Sequence, residues 1–263
     1  MTSHSSSLKV HGSERDSSEL DFPQPSTLNL QPSTLNRKIG IFGGSFNPVH
    51  LGHTALAAYI CEQGLVDEVW MMVSPQNPLK QNLELLDEQH RLAMMQLAVA
   101  PYPMLKACDF EFHLPRPSYT YHTLQALREA YPDHTFSLII GEDNWQHFHR
   151  WYRGEDILRE TPIIVYPRSS VEGEMVEGRG LRVERKKVES KGLRVEGGLV
   201  ERRELREEGA VQTQPSTEKP STLKLLPYSS TEVRTAIAEG KDVSMMLHPD
   251  VEAYIKQHGF YIK

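Results

Sequence analysis

Five short apolar runs, each followed by a helix-length segment, set the terms of the fold. They are Arg37–Phe42 (RKIGIF), Glu68–Ser74 (EVWMMVS), Lys106–Phe112, Thr135–Ile140 (TFSLII) and Pro162–Tyr166 (PIIVY). Between them lie helical patterns. One runs from His53 to Gln63, with Leu56, Tyr59 and Ile60 on one face and Gly64 closing it. A second runs from an Asp87 cap to Val99, and a third from a Thr120 cap through Ala130. Ser229–Glu239 and Pro249–His258 read as two more helices, each followed by glycine, and Phe260–Ile262 as a last short strand. Strands of this length separated by helices make βαβ units, hence a parallel sheet with right-handed crossovers. Ligands of such sheets bind beyond the carboxyl ends of the strands, where the strand order reverses. The segments after the strands therefore carry the functional information.

Two stretches fall outside this pattern. Residues 1–36 are polar and repeat QPSTLN at Gln24–Asn29 and Gln31–Asn36; QPSTEKPSTLK returns at Gln214–Lys224. GLRVE recurs at Gly180–Glu184 and Gly192–Glu196, in a stretch (171–210) holding ten Lys/Arg and ten Glu. Neither can bury much, so 1–36 reads as a disordered tail and about 170–223 as a solvated, partly helical insertion or a partner-binding arm. Of the 263 residues, roughly 170 remain, the size of one domain spanning 37–263 around the insertion.

The net charge of −6 argues against a nucleic-acid surface but leaves room for a local phosphate pocket. Cys61 and Cys108 have no metal-ligand spacing and fit a reducing compartment. No apolar run approaches a membrane span, and the Ser-rich start has no secretory h-region. A cytoplasmic protein is the expectation; oligomeric state is left open.

The first strand runs into GIFGGSFNPVHLGH, Gly40–His53. Gly43 and Gly44 let a ligand approach the backbone, and the next helix begins with a partial positive charge that favours anions. His50 and His53, three apart at a helix start, can aim both rings the same way. Imidazole N–H groups suit phosphate oxygens and a departing phosphate. The turn is neither GxxxxGK[ST] nor GxGxxG. Near the C-terminus SSTEVR, Ser229–Arg234, offers a Ser229 or Ser230 cap and an arginine one turn in, whose fork suits bidentate phosphate binding.

GGSFNPVHLGH resembles the GG[ST]F[DN]PxHxGH signature of the nucleotidyltransferase superfamily related to class I aminoacyl-tRNA synthetases, and YSSTEVR resembles its [IV]SSTx[IV]R motif. SPQNPLK (Ser74–Lys80), SYTYHTL (Ser118–Leu124) and IIGEDNWQHFHRWYR (Ile139–Arg153) narrow the likeness to nicotinate-nucleotide adenylyltransferase. Three positions depart from the usual pattern: Tyr228 for Ile, Leu79 for the His of PHK, and Tyr121-His122 before Thr123.

The resemblance implies a Rossmann-like parallel sheet flanked by helices. It places Gly43, Gly44, Ser45 and Phe46 along the ATP phosphates, with His50 and His53 on α/β-phosphate oxygens. Ser230, Thr231 and Arg234 would hold the β- and γ-phosphates, while Gly141 and Asp143 would meet the adenosine. Trp151 would stack on the pyridine ring, and Thr120 with the backbone at Tyr152 would read its carboxylate. Lys80 and Arg168 would add positive charge near the phosphates. The implied reaction joins ATP and nicotinate mononucleotide, with Mg²⁺ carried by ATP and no protein metal site. Nicotinamide mononucleotide or phosphopantetheine as acceptor, and a non-catalytic nucleotide-binding protein, are the competing readings.

Overall fold

The computed structural model describes residues 36–75, 85–167, 181–184, 226 and 228–262. Its sheet has the order β3-β2-β1-β4-β5-β6. Strands β1 (Lys38–Gly44), β2 (Glu68–Val73), β3 (Leu105–Cys108), β4 (Thr135–Gly141) and β5 (Ile163–Tyr166) are mutually parallel. Strand β6 (Arg182–Glu184) pairs antiparallel with β5. The helices are α1 (Leu51–Glu62), α2 (Glu88–Val99), α3 (Thr120–Ala130), α4 (Glu142–Gln146), α5 (Gly154–Glu160), α6 (Ser230–Ala238) and α7 (Pro249–His258).

The strands are apolar on both faces because helices cover both. Side chains alternate between two cores with the period of two that a strand imposes. Val69, Met71 and Val73 of β2 pack with Leu56 and Ile60 of α1, Leu92 and Met95 of α2, and Val251 and Ile255 of α7. Trp70 and Met72 point the other way, with Ile39, Ile41, Leu138 and Ile140, against Leu124 and Leu127 of α3 and Ile157 of α5. The chain builds outward from β1 to β2 and β3, then returns to β4 on the other side. The order thus reverses between β1 and β4, whose carboxyl ends are Gly43–Gly44 and Gly141.

The expected parallel sheet and flanking helices are present, with differences in detail. The strand expected over Lys106–Phe112 ends at Cys108, where pairing with β2 stops at Met72. Phe110–His113 is instead a 3₁₀ turn, with Phe112 N–H donating to Asp109 C=O at 2.8 Å. Phe110 and Phe112, two apart, read as one face of a strand, yet they go to different cores. Thr120 is the first residue of α3 and Tyr119 occupies the cap position. Phe260–Ile262 is no strand: Gly259 (φ 68) ends α7 and Tyr261 (φ 62) turns the chain back. Helices α4 and α5 were not foreseen. The expected tail falls almost wholly outside the described residues, as does most of the insertion, but Arg182–Glu184 within the latter forms β6 rather than helix.

One buried cation ties the segments at the carboxyl edge together. Arg91 of α2 is 1% exposed, and its donors all go to backbone carbonyls. Nε reaches Leu86 at 2.8 Å, Nη1 reaches Ser45 and Ser74 at 2.7 Å each, and Nη2 reaches Pro75 at 2.9 Å. Replacing it leaves four largely buried carbonyls without this donor. Arg91→Met should cost about 3–5 kcal/mol in urea unfolding. Arg91→Lys should recover only part of this, because an ammonium cannot span all four acceptors. An unfolding midpoint unchanged in Arg91→Met would show that the carbonyls are satisfied otherwise.

Candidate active site

A cavity of about 180 Å³ opens at the reversal between β1 and β4. Gly43 and Gly44 from β1, Gly141 from β4, Thr120 from α3, and Trp151 and Tyr152 line it, all six predicted from sequence. A Cβ on Gly43 would meet nothing within 4 Å. The backbone there faces open space, so the missing side chain leaves room for a ligand rather than for protein. At Gly141 a Cβ would come within 2.5 Å of Asp143 Oδ1. Asp143, in the first turn of α4, therefore lies directly against the end of β4. Tyr119 and Tyr152 form part of the rim, with ring centroids 4.9 Å apart.

The two histidines do not line this cavity; they stand beside it, at the start of α1. His53 is positioned by its neighbours in the loop. Its ring stacks on His50 at 3.6 Å and 26° and meets the rings of Phe46 and Phe42 edge-on at 5.0 and 6.1 Å. The His50 N–H donates to His53 Nδ1 at 3.2 Å. Nδ1 is thus an acceptor, which puts the proton of the neutral ring on Nε2.

The second motif folds onto the same loop. Ser229 caps α6, settling the choice between the two serines: its Oγ accepts from Glu232 N–H at 3.2 Å while Glu232 Oε2 accepts from Ser229 N–H at 2.6 Å. Ser230 Oγ donates to Pro48 C=O at 2.8 Å. Arg234 Nη1 donates to Asn47 C=O at 2.7 Å, and Nη2 to Thr231 Oγ1 at 3.2 Å. Arg234, Ser230 and the histidines therefore converge on residues 47–53, next to Gly43–Gly44. Phe46 is buried beneath this loop, and the Ser45 carbonyl is taken by Arg91. Lys80 and Arg168 lie outside the described residues.

Two groups were missed by motif reading. Asn47 is a hub: its Oδ1 accepts from Tyr261 Oη at 2.6 Å and from Leu86 N–H at 3.4 Å. Burial pushes the Tyr261 hydroxyl's pKa up, against Arg234 and Arg91, so it remains a donor. Glu111 lines the cavity yet is buried, accepting from Thr123 Oγ1 at 2.9 Å. Burial holds its carboxyl above the usual carboxylate range, against hydrogen bonds from Ser74 and Thr123. A carboxyl that alternates with phenylalanine (Phe110, Phe112) was the only sequence sign of it. Among the described residues no group of three or more His, Cys, Asp or Glu could hold a metal, and no helix is long and apolar enough to cross a membrane.

A glycine-lined reversal point with histidines at the next helix start is the architecture of a nucleotidyltransferase, and residues 41–236 match the cytidylyltransferase-like family. A Bacteroides thetaiotaomicron protein described as a probable nicotinate-nucleotide adenylyltransferase is 44% identical over 221 residues, covering 84% of this chain and 92% of its own. A Flavobacterium johnsoniae protein of the same description is 40% identical over 226 residues, covering 86% and 100%. The chain belongs to the nicotinate-nucleotide adenylyltransferase family. It shares its fold with Plasmodium falciparum nicotinic acid mononucleotide adenylyltransferase, solved in complex with NaAD. That comparison has a TM-score of 0.57 at 20% identity, over 86% of this chain and 98% of that one.

The position of Glu111 gives a pH signature. The unfolded carboxyl ionises near 4.5, and the folded one only at higher pH. The advantage of the neutral fold is complete below 4.5 and fades as pH rises through the folded value. Glu111→Gln is neutral throughout and should gain melting temperature relative to wild type as pH rises above 4.5. An offset between the two proteins that stays constant with pH would mean that folding leaves the ionisation of Glu111 unshifted.

Proposed function

We propose that this chain transfers AMP from ATP to nicotinate mononucleotide, forming deamido-NAD and releasing pyrophosphate. The observation that carries this reading is the adjacency of two subsites. One is a cavity walled by Trp151, Tyr152 and Thr120. The other is a loop where His50, His53, Ser230 and Arg234 meet, and Gly43–Gly44 joins them. A flat aromatic wall suits a pyridine ring. The histidine loop suits a triphosphate, with Ser45, Phe46 and Thr231 shaping it and Asp143 accepting from adenosine hydroxyls beside Gly141. Lys80 and Arg168 belong to the same reading as further phosphate-side cations.

The chemistry needs little from the protein beyond placement. A phosphate oxygen of the acceptor attacks the α-phosphorus of ATP; the bond from that phosphorus to the bridging oxygen breaks, and pyrophosphate leaves with the electron pair. The attacking phosphomonoester has a second pKa of about 6, so it arrives ionised and no general base is required. Two anions must instead be held in line while charge grows on the leaving group. The Nε2–H of His53 and the Arg234 guanidinium would meet that charge, together with the N-terminal dipoles of α1 and α6. Magnesium enters as part of the MgATP substrate. Cytoplasmic residence fits the two free cysteines. Residues 37–263 act as one domain in this reading, with the tail and insertion as appendages.

Incubation with MgATP and nicotinate mononucleotide should release pyrophosphate faster than with phosphopantetheine or nicotinamide mononucleotide. His53→Ala should lower kcat by more than about tenfold, with the KM for nicotinate mononucleotide changed little. Equal turnover by this variant would remove the role given to His53.

A further inference from the structure

The acceptor cavity holds one acid and one base, at separate places. Among the described residues that line it, the ionisable side chains other than tyrosines are one carboxyl, Glu111, and one guanidinium, Arg150. They enter from opposite sides of β1, Glu111 from the turn after β3 and Arg150 from the segment after β4.

Arg150 is carried on a rigid mount. It ends a 3₁₀ turn, Phe148–Arg150, in which Arg150 N–H donates to His147 C=O at 3.0 Å and Trp151 N–H to Phe148 C=O at 2.9 Å. Phe148 is buried and packs between Trp145 and Trp151, at 5.4 and 5.3 Å. The neighbouring arginines are already engaged: Arg153 and Arg159 share Asp156, and Arg153 also covers the Tyr121 ring at 4.4 Å. Arg150 is exposed and forms no ion pair among the described residues.

We propose that Arg150 determines acid specificity in this cavity by pairing with a carboxylate on the acceptor's ring. The inference rests on the acceptor reading above and goes beyond it, since that reading gives the carboxylate only to Thr120 and the backbone at Tyr152. A planar guanidinium binds a carboxylate through two parallel N–H···O bonds, whereas an amide offers it one neutral oxygen. At the Glu111 end a carboxylate meets no cation. A ring stacked along Trp151 therefore gains most with its anionic substituent toward Arg150.

Steady-state kinetics of Arg150→Gln and Arg150→Lys, with nicotinate mononucleotide and nicotinamide mononucleotide as separate acceptors, test this. Arg150→Gln should lower kcat/KM for the acid about tenfold to a hundredfold. Turnover of the amide and the KM for ATP should hold within about twofold, and Arg150→Lys should recover part of the loss. Unchanged melting temperatures would exclude a folding defect. Acid and amide falling together, a rise in the KM for ATP alone, or no change at all overturns the proposal. A wild-type chain that turns over neither acceptor counts against the function reading instead. Arg150 is then judged by quenching of tryptophan fluorescence with nicotinate against nicotinamide. Loss of a preference for nicotinate in Arg150→Gln supports the assignment, and an identical preference in both proteins refutes it.

Discussion

The Arg91 guanidinium is the contact on which the site's geometry depends. A buried cation whose direct hydrogen bonds go to carbonyls is costly to desolvate. Here the offset comes from carbonyls on three separate stretches: Ser45 after β1, Ser74 and Pro75 after β2, and Leu86 before α2. None of the three can relax alone without stranding part of that charge. The consequence reaches the ligand side. A carbonyl turned inward to Arg91 turns its neighbouring peptide groups, and the Ser74 N–H donating to Gly44 C=O locks the two loops edge to edge. The glycine turn is therefore set from behind before any nucleotide arrives, which is the preorganisation that anion stabilisation requires.

Asn47 extends the same logic to the C-terminal third of the chain. Its backbone carbonyl takes Arg234 and its side chain takes Tyr261 and Leu86. Segments 39, 187 and 214 residues away in sequence thus meet at one asparagine. With Ser230 bonded to Pro48, the start of α6 is seated on the loop that carries the histidines. Long connections cost little extra closure entropy once their ends are fixed this firmly. Arg234 is a strut in this arrangement, its fork holding the Asn47 carbonyl and Thr231 Oγ1.

The parts of this structure legible in the sequence were those that obey a period or a motif. The five parallel strands follow from apolar runs bounded by turns. The cap at Ser229 and the glycine ends of α1, α6 and α7 follow from capping chemistry: Gly64, Gly240 and Gly259 all have φ between 66 and 68. The motifs also pointed to residues that meet around one reversal point. What stayed hidden were side chains whose partners are backbone atoms. Arg91 stands beside Leu92 on α2 and reads as an ordinary surface arginine, because carbonyl acceptors have no letter in a sequence. Tyr261 reads as a strand residue until its hydroxyl is seen to reach Asn47. Helices α4 and α5, of five and seven residues, are too short to show a period. Burial turned Glu111 from an outward polar residue into a cavity wall, and nothing local distinguishes the two.

A chain with a net charge of −6 that binds two polyanions has to place its field locally. The loop after β1 and the starts of α1 and α6 present backbone N–H groups, helix N-termini and imidazoles, none of which adds net charge when neutral. On the acceptor side burial shifts the one cavity carboxyl, Glu111, toward its neutral form, and one arginine of a cluster has no ion pair among the described residues. Both devices follow from where the fold puts side chains, since Arg150, Arg153 and Arg159 lie in the same short segment and only the last two reach Asp156. Charge selectivity here is therefore a property of which partners are already taken, and a composition count cannot contain that information.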